Sequence, residues 1–132
     1  MKTKLFILSF FALTFIVGCF SDHNDTNYGL EGQWNLTHIG GGISGMDMSF
    51  DPDVIVWTFN ENTGMVTIVN NSEGGFSTFQ SGTYPFLIED AGDYNTITID
   101  GMNLGSIEIS TNQVNIDQRA ADGVLMELTK TI

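Results

Sequence analysis

From Gly32 to the C-terminus the chain runs in short stretches of alternating apolar and polar residues, broken by clusters of Gly, Asn, Asp and Ser. Successive side chains of a strand point to opposite faces, so this alternation gives each stretch one face for a core and one for water. Eight stretches are expected strands: Gly32–Ile39, Val54–Asn60, Met65–Asn70, Phe79–Ile88, Thr96–Asp100, Ser106–Ser110, Gln113–Asp117 and Val124–Thr131. Their core faces read Trp34, Leu36 and His38; Ile55, Trp57 and Phe59; Val66 and Ile68; Tyr84, Phe86 and Ile88; Ile97 and Ile99; Ile107 and Ile109; Val114 and Ile116; and Val124, Met126 and Leu128. No stretch long enough for a stable helix carries an apolar stripe of period 3.6. Eight strands at this spacing build a sandwich or an up-and-down barrel. Closing the barrel leaves no sheet edge exposed. The expected fold is therefore all-β: a small eight-stranded antiparallel up-and-down barrel.

The start of the chain follows another pattern. Lys2 and Lys4 precede thirteen almost wholly apolar residues, Leu5 to Val17, the charged and apolar regions of a secretory signal peptide. As a helix this stretch reaches roughly 20 Å against about 30 Å of hydrocarbon, too short for a comfortable permanent span. It ends in Ile16-Val17-Gly18-Cys19, and Cys19 is the single cysteine of the 132 residues. Branched apolar, apolar, small, cysteine resembles a bacterial lipobox. The resemblance implies cleavage before Cys19 and a diacylglyceryl group, with palmitate-type chains, on its thiol. Each buried methylene contributes about 0.8 kcal/mol, and stable attachment takes more than one chain. The mature protein would then hang from a membrane by lipid. The alternative is an ordinary signal peptide followed by a chance cysteine. Beyond the lipid on Cys19, no cofactor and no metal is expected.

Phe20 to Gly29 is polar and acidic and reads as a flexible tether. Three units result: residues 1–18 as signal peptide, 19–29 as tether and 30–132 as the barrel domain. The Ser-Asp-rich run after Cys19, interrupted by His23 and Asn24, resembles the export signal of surface lipoproteins of Bacteroidetes type. The expected place is the bacterial cell envelope, at the outer membrane, with leaflet and surface display left open. Past residue 18 two cations, Arg119 and Lys130, stand against 16 acids. Such a surface repels nucleic acid and anionic headgroups and favours solubility.

Gly32-Gln33-Trp34, followed by Leu36, resembles the Gly-x-Trp opening of lipocalins and of lipocalin-like bacterial lipoproteins. Gly82-Thr83-Tyr84 resembles a Gly-x-Tyr strand of the second group, and Leu128-Thr129-Lys130 its closing strand. The resemblance implies that Gly32 turns the chain into the barrel base, that Trp34 plugs that base, and that Lys130 packs over Trp34. Lipocalins more often place Arg at the last position.

Up-and-down connectivity sorts the loops to two ends. Glu61–Thr63, Glu89–Asn95 and Thr111-Asn112 fall at the base. Gly40–Asp53, Asn71–Ser77, Gly101–Gly105 and Gln118–Gly123 fall at the mouth, and with them Ile43, Met46, Met48, Phe50, Phe76, Met102, Leu104 and Leu125. Apolar side chains concentrated in loops call for an explanation. The longest loop holds Gly40-Gly41-Gly42 and Gly45 and reads as a mobile apolar lid. The candidate ligand site is therefore the mouth: Ile43, Met46, Met48, Phe50, Phe76 and Met102 above Trp57. His38, expected to face inward, and Arg119 would meet the carboxylate of an amphipathic ligand. The alternative is a filled barrel whose mouth residues bind another protein. Asp47, Asp51 and Asp53, and Glu89, Asp90 and Asp93, read as turns rather than metal ligands.

No nucleophile elbow, phosphate loop or zinc spacing is present, and the one thiol belongs to the lipobox. The chain is expected to be a binding protein and no enzyme. It would carry a small hydrophobic or amphipathic molecule at the barrel mouth, or engage a protein there.

Overall fold

A computed structural model of the chain describes residues 26–73 and 79–132. Cys19, the leader, most of the tether and Phe76 lie outside the described residues. Among the described residues nine strands form: β1 (Gly32–Gly41), β2 (Met46–Ser49), β3 (Ile55–Asn60), β4 (Met65–Asn70), β5 (Gly82–Asp90), β6 (Asn95–Ile99), β7 (Met102–Ile109), β8 (Gln113–Asp117) and β9 (Val124–Lys130). One 3-10 turn, Arg119–Ala121, precedes β9. β1 and β3 to β9 pair antiparallel in chain order, and β9 returns to β1 in a long ladder, Trp34 opposite Lys130 through Gly41 opposite Val124. That ladder closes an eight-stranded barrel, as the alternation predicted, and decides against the open sandwich.

β2 was not foreseen. It lies within the stretch read as a mobile lid and pairs with the outer half of β1, His38 opposite Ser49 through Gly41 opposite Met46. The inner half of the same β1 edge pairs with β3, Gly32 opposite Phe59 through Asn35 opposite Val56. β2 and β3 thus follow one path along β1, interrupted by the excursion Phe50–Val54. Asn35 holds the excursion in place. Its Oδ1 accepts the Asp53 backbone N–H at 2.9 Å and its Nδ2 donates to Thr131 Oγ1 at 3.1 Å. Asn35 is the one buried polar side chain among the described residues, and both ends of its amide are satisfied.

The barrel interior holds the core. Trp34, Leu36, Ile39, Ile55, Trp57, Phe59, Ile68, Ile97, Ile99, Leu104 and Ile116 are fully buried, and Phe79 packs edge-on against Trp57 with ring centroids 5.8 Å apart. Each such side chain contributes about 1.5–3 kcal/mol on leaving water. Among the described residues every core side chain comes from between Leu30 and Leu128, so residues 26–132 carry a closed barrel with its own core. Two strand starts differ from expectation by more than one residue. β5 begins at Gly82 rather than Phe79. β7 begins at Met102 rather than Ser106, so Leu104 is a core residue and the turn before it shrinks to Asp100-Gly101.

At the base the expected geometry is present. Gly32 has φ +107°, and Trp34 is fully buried with its Nε1 donating to Leu30 O at 2.8 Å. Lys130 Nζ lies 4.8 Å from the Trp34 ring centroid and donates to Glu31 O at 3.1 Å. The chain entering the barrel is fastened here too. The backbone N–H groups of Tyr28 and Leu30 donate to Glu61 Oε1 at 3.0 and 3.1 Å, so the folded part begins by Tyr28, inside the span read as tether. Lys130→Ala should lower stability by about 0.5–1 kcal/mol and shift the Trp34 emission. Urea melts and intrinsic fluorescence read both, and two unchanged values would deny the cation–π contact any energetic role.

Candidate functional site

The rim opposite the base is built by the β1–β2 hairpin and the β8–β9 connection. Gly41, Gly42 and Gly45 adopt φ +99°, +74° and +64°, a turn that residues with a Cβ enter at a cost. The turn lifts Ile43 clear of the barrel, 91% exposed. The Gly42 N–H donates to Gly123 O at 3.0 Å, tying the hairpin to the β8–β9 connection. Between them lies a shallow cleft of about 260 Å³ lined by Gly41, Gly42, Ile43, Arg119, Asp122 and Gly123.

Of the residues assigned to a mouth site, Ile43 and Arg119 meet in this cleft. Met46 and Phe50 are half-buried and pack against the core, and Met48 is half-buried beside them on β2. Met102 is half-exposed at the start of β7. Trp57 sits inside the barrel, fully buried between Phe59 and Phe79. Its indole Nε1 is the one buried side-chain polar atom among the described residues with no hydrogen-bond partner.

His38 faces out of the barrel, not in. The β1–β9 register shifts between Leu36 and His38, so Leu36 opposes Leu128, His38 opposes Glu127 and Ile39 opposes Met126. The extra residue, Thr37, forms a β-bulge, which reverses the side-chain alternation beyond it and buries Ile39 instead. On the outer wall the imidazole bridges two carboxylates, Nε2 to Asp47 Oδ1 and Nδ1 to Glu127 Oε2, both at 2.7 Å. The bond to Asp47, and behind it the bond and charge of Glu127, hold the imidazole pKa above its ordinary value, against the opposing pull of partial burial. With both nitrogens so engaged, His38 has none left to activate a nucleophile.

Arg119 is likewise engaged within the chain. Its Nε and Nη2 donate to the two oxygens of Asp117 at 3.0 and 2.7 Å, and its backbone N–H to Asp117 Oδ1 at 2.9 Å. Arg119 lowers the Asp117 pKa, first through the bond from its guanidinium and then through the bond from its backbone N–H. Both cations expected to meet a ligand carboxylate are therefore neutralised by the chain's own acids, and His38 and Arg119 do not converge on one pocket. The signal was available for Arg119, whose partner Asp117 stands two residues before it, but not for His38, whose partners come from β2 and β9.

No family model, curated protein or solved structure was found to match this chain.

Proposed function

We propose that the chain is a lipid-anchored envelope lipoprotein whose lipocalin-like barrel is an interaction module, engaging a protein partner at its rim. The observation that supports this reading is where the apolar side chains stand. The inward faces of the described strands carry packed apolar side chains, whereas Ile43 and the cleft beside it lie outside, at the rim. An exposed apolar side chain on a projecting turn, over a shallow cleft, suits contact with a macromolecule rather than enclosure of a small one. The anchor rests on Lys2, Lys4, the apolar leader and the lipobox at Cys19.

A second reading, a carrier of a small apolar or amphipathic molecule, draws support from one atom. Trp57 Nε1 is a buried donor with no acceptor, and a ligand oxygen would satisfy it. Native mass spectrometry of residues 26–132, purified without detergent, separates the two. A native mass equal to that of the bare polypeptide supports the rim module. A mass excess that vanishes on denaturation overturns it in favour of the carrier and supplies the mass of the cargo. For the anchor, Cys19→Ala in the full chain should abolish acylation and move the protein from the membrane to the soluble fraction. Unchanged fractionation would refute that part.

A further inference from the structure

Three strands meet at one imidazole. His38 belongs to β1, Asp47 to β2 and Glu127 to β9, and both carboxylate contacts are 2.7 Å long. Only the imidazolium has two N–H donors; the neutral ring has one donor and one lone pair. The arrangement is therefore complete only while His38 holds its second proton. When that proton leaves, one of the two contacts becomes a lone pair set against an anion.

The surroundings decide which contact fails. Glu127 lies within β9, paired with β1 on one side and β8 on the other, and its side chain is 33% exposed. Asp47 is 84% exposed and sits on a four-residue strand whose ladder, among the described residues, is with β1. The neutral ring keeps Glu127 and lets Asp47 go.

We propose that β2 is a proton-latched arm: the His38 imidazolium, bridging Asp47 and Glu127, fastens the arm to the barrel wall, and loss of its proton unfastens it. The charged groups around the latch are few. β2 brings Asp47 and β9 brings Glu127, β1 brings no other charged residue, and Arg119 after β8 acts on Glu127 while bonded to Asp117. His38 is thus the one group there whose charge changes near neutral pH. Its raised pKa fixes the sign: the latch is fully made below the ordinary imidazole value, about 6.5, and is lost as pH rises through the higher folded-state value. The arm carries Met46, packed on the core, and its turn carries Ile43 and one wall of the cleft. Unfastening would loosen the wall of the cleft assigned above to a partner. Only this consequence rests on that reading; the latch itself does not.

Amide hydrogen exchange of residues 26–132 tests the latch. Protection factors are corrected for intrinsic exchange and followed from about pH 5.5 to about pH 9, across the imidazole range. Protection of the Met46–Ser49 amides should fall by about tenfold or more with rising pH, while the amides of β4 to β7 keep theirs. Asp47→Ala, an exposed change that removes the contact and leaves the core intact, should give low protection in β2 at every pH. Wild-type protection in β2 that stays flat, or a fall that persists unaltered in Asp47→Ala, would overturn the latch. A bound cargo in the mass spectrum would displace the rim reading without altering these exchange profiles, so the two failures are distinguishable.

Discussion

Gly105→Ala is expected to lower the stability of the barrel by about 2–6 kcal/mol, from two costs of about 1–3 kcal/mol each. Gly105 has φ +92°, a conformation that any residue with a Cβ adopts only under strain. An added Cβ would also stand 2.2 Å from Asp117 O, 2.9 Å from Asp117 C and 3.0 Å from Gln118 Cα, all of them backbone atoms. No side chain can swing aside to make room, so β7 and β8 must separate where Ser106 pairs with Asp117. The melting temperature should fall by more than about 10 °C, at roughly 4–8 °C per kcal/mol for a domain of this size. A loss under about 1 kcal/mol would mean that the two strands part easily there. Because Asp117 also holds Arg119, the cleft wall should loosen with the strand pair.

Trp34→Ala is expected to cost about 3–5 kcal/mol. The indole is fully buried at the base, and its removal leaves a cavity and an unpaired Leu30 carbonyl beneath Lys130. The informative comparison is between the two tryptophans. Trp34→Phe deletes a satisfied N–H and should cost about 1–3 kcal/mol, whereas Trp57→Phe deletes an unsatisfied one and should cost clearly less. Equal costs in urea denaturation would show that Trp57 Nε1 has an acceptor in solution, such as an enclosed water.

The barrel was legible because its signal is repeated in every strand. Ile55-Trp57-Phe59, Val66-Ile68, Ile97-Ile99 and Val114-Ile116 each place alternate apolar residues inward, and the structure buries all of them. The base was legible through three residues, Gly32, Trp34 and Lys130, which β1 and β9 bring into contact. What failed was local. Trp34, Leu36 and His38 continue a perfect period of two, so a single-residue bulge at Thr37 leaves no break in the pattern. Its trace is Ile39, the apolar residue out of phase. Met46-Asp47-Met48-Ser49-Phe50 also alternates, but the flanking glycines made the stretch read as a lid rather than as a hairpin around a glycine turn. The carboxylate partners of His38 depend on cross-strand register, which alternation alone leaves undetermined, whereas Asp117 stands two residues before Arg119.

The fastening of Tyr28 and Leu30 to Glu61 has a mechanical consequence. Any load carried by the chain before Tyr28 enters the barrel at the base and runs along β1. β1 is flanked by β3 and then β2 along one edge and by β9 along the other, so such a load shears the ladders on both edges together instead of peeling bonds apart one by one. The rim stands at the far end of β1, ten residues on, a height of roughly 33 Å in extended chain. Tension on the chain before Tyr28 would thus be shared by the ladders on both edges of β1 and reach the Ile43 turn last.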